Sequence, residues 1–433
     1  MPGPRVLIAC QKSWAVGTDN PLQAGPLPIA AHPKRNYLAE PLESITQERL
    51  VELVSTLVST PSITNQEDEI ADWAYEHLKS IGLSGVQRLP VEDSGDSVIG
   101  WIDGPADGPT LMYNFHMDTF PICDGWDTDP LVPHLEAGRL YGLGSHDMKG
   151  GGACVLAAIE ALIASGVELG GRLYVSGTTD EENWSRGAHA VIGTGLLAGC
   201  QGCLIPEPSA LASLTVGARG RHVFHLVFHG QTAHAAYDEG INAVADAAKV
   251  VSGLETVDMG YYPEFDVRGS QCVIGFHGGG TLILVPEEAH VYVDRHILPG
   301  QTVEEAAAQI EAVVKAAGIE STYELTWDER PTPAPLPYLV PSDSTLVQTV
   351  VRNMEAELGQ PAQLWLQRSV ADTNHFAVHG GVPTLVLGPQ GGNTCKANEY
   401  VEVGSMPAVA RIYVQTAIDL LGVRVQEPSL RGA

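Results

Sequence analysis

Basic residues are scarce in this sequence. It has 24 Lys and Arg against 52 Asp and Glu in 433 residues, which gives a formal net charge of -28. A protein of that charge repels phosphate backbones and anionic lipid headgroups. We therefore expect neither a nucleic acid nor a membrane surface as a partner.

Long apolar runs and a cysteine framework are also missing. No stretch offers the roughly 18 uninterrupted apolar residues that cross a bilayer, since the best one, 153–164, contains Glu160. The apolar run at 6–10 is too short for a secretory signal. The seven cysteines are odd in number and scattered, as in a reducing compartment. These features predict a soluble, cytoplasmic protein.

Short β-rich runs alternate with alanine-rich helical stretches in most of the chain. Strands are predicted at 110–114 and 172–177, with a helix at 152–165 between them. This alternation is typical of an α/β sheet flanked by helices. Residues 1–44 have no such period and are predicted to be an irregular extension.

The pattern changes near residue 214. The elements that follow have a β-α-β-β-α-β order, which predicts an inserted α+β domain over 215–330. They are strands at 223–228 and 288–293, helices at 242–254 and 303–317, and a turn at 275–280. Four prolines between 331 and 337 then mark a stiff return. We therefore predict one domain from 45–214 with 331–433, and a second from 215–330.

A histidine and an aspartate follow the first of these strands. His116 and Asp118 are two apart on an extended segment, so their side chains share a face. Asp118 could then orient His116 while His116 binds a metal. The alternative, a surface histidine beside an aspartate, is the commoner origin of so short a motif.

Acidic residues recur in three further motifs. Asp147 lies within Gly142-Leu-Gly-Ser-His-Asp-Met-Lys-Gly-Gly151, where it could bridge two cations or merely cap a helix. Glu181 and Glu182 follow the strand at 172–177. One of them could bind a metal while the other acts as a general base, or both could be solvated residues of a loop. Glu207 lies between two prolines, where it could be a rigidly held metal ligand or an ordinary loop residue.

The coincidence of these motifs favours the functional interpretation. They place His, Asp, Glu and Glu in chain order after successive strands, where the sites of α/β sheets are assembled. Carboxylates with one imidazole suit Zn²⁺, Mn²⁺, Fe²⁺ or Co²⁺. The predicted chemistry is activation of water by a metal with a carboxylate as base.

The order HMD, GLGSHDMKGG, DEE and PEPS, followed by an inserted domain, resembles the metallopeptidase family of acetylornithine deacetylase, succinyl-diaminopimelate desuccinylase, aminoacylase and carboxypeptidase G. The resemblance extends from about residue 45 to the C-terminus. It implies a metal-dependent exopeptidase-like catalytic domain, with a mixed sheet flanked by helices, and a ferredoxin-like lid and dimerisation domain.

The resemblance also implies roles for individual residues. His116, Asp147 and Glu207 would hold one divalent ion, Zn²⁺ or Mn²⁺. Asp147 would bridge to a second ion held by Glu182 and a C-terminal residue. Glu181 would be the general base and acid.

Two further roles are implied in the same way. Asp118 would orient His116. His234, in Gly230-Gln-Thr-Ala-His234, would reach across a homodimer formed through 215–330 and polarise the scissile carbonyl.

The sequence departs from the family at several positions. Cys395 stands where the histidine ligand of the second metal belongs. If its thiolate binds Zn²⁺, the site would hold two ions. If it does not, the centre would be mononuclear. His146 replaces a small residue before the bridging aspartate. Asn374 replaces an arginine that grips a substrate carboxylate, and we expect Asn374, His375 and Arg295 to contact the substrate.

Three functions remain open at this point. The leading one is hydrolysis of a C–N bond in a small carboxylate-bearing molecule, an N-acyl amino acid or a dipeptide, with Glu181 as base. The second is an atypical aminohydrolase that removes the amine of an aromatic acid such as 5-nitroanthranilate at a mononuclear site. The third is an inactive dimeric binding protein.

Overall fold

The computed structural model describes residues 41–424 except 238 and 281. These residues form two compact units. The larger unit comprises 41–217, 339–367 and 371–424, and the smaller one 218–338 with 368–370. The proline-rich return at 331–337 therefore belongs to the smaller unit, whereas we predicted it in the larger domain. Nearly all of the predicted extension, 1–44, lies outside the described residues.

The helices begin where the sequence offers capping side chains. Thr46, Asn242, Thr302 and Ser344 each precede a helix and accept a bond from a backbone N–H of its first turn. Helices α1 to α8 are Gln47–Ser59, Asp68–Ser80, Gly150–Ala164, Arg186–Gly193, Ala243–Leu254, Val303–Ala316, Thr345–Leu358 and Met406–Leu421. In the described part of the chain, no helix is both long and apolar enough to cross a membrane.

In the described residues, the strands belong to four sheets. In chain order, β1 to β19 are Gly85–Leu89, Ser97–Ile102, Thr110–His116, His134–Glu136, Arg139–Tyr141, Arg172–Thr178, Cys203–Ile205, Ser213–Ala218, Gly220–His229, Tyr261–Tyr262, Val267–Arg268, Ser270–Gly278, Glu288–Ile297, Thr322–Trp327, Tyr338–Leu339, Gln363–Gln367, Thr384–Val386, Gly391–Gly392 and Tyr400–Glu402.

The larger unit is built on a nine-stranded mixed sheet. Its order is β1-β2-β6-β3-β7-β17-β8-β15, with β16 also paired to β8. The four strands β6, β3, β7 and β17 run parallel to one another. Residues 111–116 of β3 are buried, as expected for a strand covered on both faces. The predicted α/β class is confirmed.

The smaller unit is a four-stranded antiparallel sheet with α5 and α6 on one face. The strand order is β12-β13-β9-β14, and the elements follow the predicted β-α-β-β-α-β order. Its core lies between sheet and helices and includes Phe224, Phe228, Val291 and Ile310. The turn predicted at 275–280 is wrong, because most of it belongs to β12. Gly275 and Gly278 pair with Tyr292 and Ala289 of β13, after a bulge between Val273 and Gly275.

Candidate metal centre

Three parallel strands bring the predicted ligands together. His116 is the last residue of β3, Glu181 and Glu182 follow β6, and Glu207 follows β7. The strands β6, β3 and β7 are neighbours, so their carboxyl ends meet at one edge of the sheet. The loop after each strand therefore delivers its side chain to the same place.

His116 lies at the centre of this cluster and is only 1% exposed. Its Nδ1 is 3.0 Å from the backbone oxygen of Asp118, and its Nε2 is 3.2 Å from Asp147 Oδ1 and 3.9 Å from Glu207 Oε1. Burial acts to lower the pKa of His116, but hydrogen bonds to Asp118 and Asp147 raise it well above its usual value. The Nδ1 bond leaves Nε2 facing the carboxylates, the orientation of a metal-binding imidazole.

Asp118 has a wider role than the predicted one. Its carboxylate is fully buried and lies 3.6 Å from His116 Nδ1, farther than its own carbonyl oxygen. The same carboxylate accepts hydrogen bonds from the Thr64 hydroxyl at 2.9 Å and from the backbone N–H groups of Glu181 and Glu182 at 3.2 Å each. Asp118 therefore holds the loop that carries both glutamates.

Asp147 reaches the cluster from the other side. It lies in a kinked turn, Ser145–Lys149, that leads into α3, and its own φ and ψ of -113° and 93° are not helical. Glu399 holds this turn, because its carboxylate accepts the N–H groups of Asp147 at 2.8 Å, Gly144 at 2.9 Å and His146 at 3.0 Å. One Asp147 oxygen faces His116, and the other lies 3.5 Å from the sulfur of Cys395.

Gly144 and Gly151, on either side of Asp147, are each required to be glycine for a different reason. Gly144 has a φ of 71°, in the left-handed region that favours glycine. Gly151 lies in the first turn of α3, where a Cβ atom would collide with the carbonyl oxygen of Pro206. A glycine there lets α3 lie directly against the segment that presents Glu207.

The ligand atoms form two groups that share one carboxylate. The first group is His116, Asp147 and Glu207; the second is Asp147, Glu182 and Cys395; in each, the ligand atoms lie within 4.8 Å of one another. His116 also lies within that distance of Glu181 and Glu182. This arrangement suits two cations bridged by Asp147, as the resemblance implies.

The charges at this centre also fit cations. Glu182 Oε1 and Glu207 Oε1 are buried and receive no hydrogen bond from any described residue. Burial raises the pKa of Glu207 to about 8, and the charge of Asp147 adds to the shift. Burial likewise raises the pKa of Glu182 well above its usual value, helped by Asp147 and Glu181. Divalent ions would give these oxygens the partners that they lack.

Glu181 stands beside both groups. Its Oε1 accepts the backbone N–H of Asp372 at 3.2 Å. Burial raises the pKa of Glu181 well above its usual value, and the nearby carboxylates of Glu207 and Asp372 raise it further. Asp372 is itself buried, which raises its pKa to about 6. A carboxylate with a raised pKa can take up a proton and later release it.

The residues predicted to contact the substrate have partners within the chain. Asn374 is buried, and its side-chain oxygen accepts the N–H of Ala371 at 3.1 Å. His375 is buried, with Nδ1 2.8 Å from His189 Nε2. The contact of Asn374 and His375 with a substrate stays a prediction.

Two other predicted residues belong to the smaller unit. Arg295 is 1% exposed and donates hydrogen bonds to the side-chain oxygens of Gln271 and Gln309, and its contact with a substrate stays a prediction. His234 is exposed on a loop, where its Nδ1 accepts the N–H of Ala236 at 3.1 Å. Its action across a dimer stays a prediction.

A model described as peptidase family M20/M25/M40 matches residues 112–419. The chain belongs to this family. Succinyl-diaminopimelate desuccinylase from Halorhodospira halophila is 28% identical over 387 residues, which cover 86% of this chain and 98% of that protein. The M20 family is a peptidase family, and this chain is accordingly a hydrolase of C–N bonds.

Solved structures share the fold. Aminopeptidase PepT from Bacillus cereus has a TM-score of 0.73 at 20% identity and covers 87% of this chain and 99% of its own. The YXEP protein of Bacillus subtilis, described as a dinuclear metal-binding M20 peptidase, has a TM-score of 0.67 at 17% identity, with coverages of 88% and 99%. These likenesses confirm the predicted architecture.

Several supporting residues of this M20 site were not assigned from sequence. Glu399 belongs to the Asn-Glu-Tyr stretch after Cys395, but only the contact with the turn at 144–147 reveals its task. Thr64 lies in a stretch without a motif. Lys149 is buried and donates to the backbone oxygen of Thr60 at 3.0 Å, and burial lowers the pKa of Lys149 to about 7.

Proposed function

We propose that this chain is a two-metal hydrolase that removes the acyl group of an N-acyl amino acid or splits a dipeptide. The observation that carries the proposal is the position of Glu181. It is a partly buried carboxylate, not needed for either group of ligands that share Asp147, and it lies within reach of His116. The desuccinylase and peptidase names of the relatives agree with the two substrate classes.

In this proposal the ligands form two metal positions. His116, Asp147 and Glu207 would hold one ion, and Asp147, Glu182 and Cys395 the other, with Zn²⁺ or Mn²⁺ as the proposed metal. When bound, such ions polarise a carbonyl and lower the pKa of water. Asp118 keeps His116 and both glutamates in place through the hydrogen bonds described above.

Glu181 then moves the proton. It accepts a proton from the attacking water and delivers it to the leaving nitrogen, which needs a carboxylate whose pKa lies near the working pH. The Asp372 N–H fixes one oxygen of Glu181, so the carboxylate is oriented before the substrate binds.

The smaller unit would complete the site through a second copy of the chain. In this proposal His234 of one subunit donates a hydrogen bond to the scissile carbonyl oxygen in the other, where negative charge develops. The exposure of His234 on its loop supports this role. A carboxylate-bearing substrate is compatible with the acidic protein, because bound cations set the local field.

A substrate panel tests the proposal. N-succinyl and N-acetyl amino acids, dipeptides and an aminobenzoate are each assayed with the protein as purified, after chelation, and after Zn²⁺ or Mn²⁺ is restored. We expect amide hydrolysis that disappears on chelation and returns with Zn²⁺, which suits both groups of ligands. Ammonia release from the aminobenzoate without deacylation would overturn the proposal in favour of an aminohydrolase. No turnover by the metal-loaded protein would favour a binding protein.

A further inference from the structure

Sulfur is present in only one of the two ligand groups. The first group offers an imidazole nitrogen and carboxylate oxygens, from His116, Asp147 and Glu207. The second offers two carboxylates and a thiol, from Asp147, Glu182 and Cys395. The two positions share a bridging residue but present different chemistry to a cation.

The chain itself holds Cys395 at this place. Hydrogen bonds within the loop join Lys396 N to Asn393 O and the Asn393 side chain to Asn398 O, each at 2.9 Å. The Asn398 side chain donates to Asp127 at 2.8 Å. The loop is therefore anchored around Cys395, whose sulfur lies 3.5 Å from Asp147 Oδ2.

A second observation points to a cation at the same place. Glu182 Oε1 is buried and accepts no hydrogen bond from the part of the chain that the structure describes. This oxygen, an Asp147 oxygen and the Cys395 sulfur converge within 4.8 Å. Three such groups repel one another as anions, and a shared divalent ion removes that repulsion. Cys395 is exposed, so an ion can reach the position from solvent.

We propose that the two metal positions select different ions, and that the position of Asp147, Glu182 and Cys395 takes thiophilic divalent ions, Zn²⁺, Co²⁺ or Cd²⁺, in preference to Mn²⁺ and Mg²⁺. Thiolate ligands favour the first set, whereas carboxylates and water suit the second. The His116 position contains no sulfur and accepts either set. The inference rests on the two-metal site of the proposed function.

Cobalt spectroscopy of the full-length protein tests the inference. Metal-free protein is titrated with Co²⁺, and a thiolate ligand produces an intense near-ultraviolet charge-transfer band that oxygen and nitrogen ligands do not. We expect this band in the wild type and in Cys123→Ser and Cys272→Ser, whose exposed thiols lie outside the ligand groups. We expect it to be absent in Cys395→Ser, with the second Co²⁺ bound at least about 10–100-fold more weakly.

Metal content provides a second readout. The wild type should retain two Zn²⁺ per chain but one Mn²⁺ after gel filtration. Cys395→His should lack the charge-transfer band yet retain two Mn²⁺, because an imidazole replaces the thiolate. Circular dichroism confirms that each variant is folded. A band that persists in Cys395→Ser, two Co²⁺ bound to the wild type without a band, or two Mn²⁺ retained by the wild type would overturn the inference.

The two proposals fail in different ways. Hydrolysis of the substrate panel without a charge-transfer band would leave the proposed function intact and refute the thiolate position. A charge-transfer band in a protein that hydrolyses none of the panel would support the thiolate position and refute the proposed function. Glu181→Gln should lose hydrolysis and keep the band, since Glu181 is needed for neither metal position.

Discussion

We expect substitution of Glu399 to destabilise the turn that carries Asp147. It is 2% exposed, and its two carboxylate oxygens accept the N–H groups of Gly144, His146 and Asp147 at 2.8–3.0 Å. Glu399→Ala would leave all three donors buried without an acceptor. Glu399→Gln keeps one oxygen for two of them but turns an NH₂ group toward the third.

The cost follows from these contacts. A buried N–H that loses its acceptor costs about 1–3 kcal/mol, so three would cost about 3–9 kcal/mol if nothing relaxed. Because water can enter the space left by the side chain, we expect about 3–5 kcal/mol for Glu399→Ala, which is large for a single substitution. For Glu399→Gln, with one bond lost, we expect about 1–3 kcal/mol.

Amide hydrogen exchange of the turn at 144–147, together with urea unfolding of the whole chain, measures this effect. A local loss of about 3 kcal/mol corresponds to roughly 100-fold faster exchange. Glu402→Gln is the matched control, since Glu402 is 41% exposed and 3.6 Å from Arg139, and should change stability by less than about 0.5 kcal/mol. Unchanged exchange and unfolding in Glu399→Ala would refute the reasoning.

Two further predictions concern the carboxylates of Asp118, which is buried, and Glu160, which is partly buried. Asp118→Asn should weaken Zn²⁺ binding about 10–100-fold in a competition titration, because its NH₂ group faces donors; wild-type affinity would contradict the assigned role. Burial acts to raise the pKa of Glu160, but hydrogen bonds from Arg49 and His77 lower it to about 2 from 4.5. Its stabilisation is therefore present above pH 4.5 and lost as the pH falls toward 2, so Glu160→Gln should cost about 1–2 kcal/mol only above that window. An equal difference in urea unfolding at every pH would contradict this.

The convergence of three of the ligand motifs could be predicted because each of them follows a strand of the large sheet. Asp147 does not, because it lies in the turn before α3, and the expectation that it follows a strand of that sheet was wrong. His116, Glu181 and Glu207 come after apolar runs that the sequence shows clearly, and the carboxyl ends of parallel strands share an edge whatever the strand order. The strand order β6-β3-β7 could not be predicted from the sequence, but the predicted convergence of the ligands did not depend on it.

The supporting contacts depend on tertiary structure. Glu399 and His146 are 253 residues apart, and the N–H of Asp372 reaches Glu181 across 191 residues. No local pattern encodes such pairs. Arg295 is different, since it occupies the same alternate positions of β13 as the buried Val291, Val293 and Ile297. That period of two places its side chain on the helix-covered face and could have revealed its burial.

The most direct test of the account is the rate of Glu181→Gln measured beside its metal content. Glutamine keeps the shape of the side chain but cannot accept the proton of the attacking water. We expect kcat/KM on the best amide substrate of the panel to fall by about 10²–10⁴-fold, with the metal content and thermal stability of the wild type. A variant that retains its metal and loses less than about tenfold in kcat/KM would contradict the assignment of Glu181 as the base.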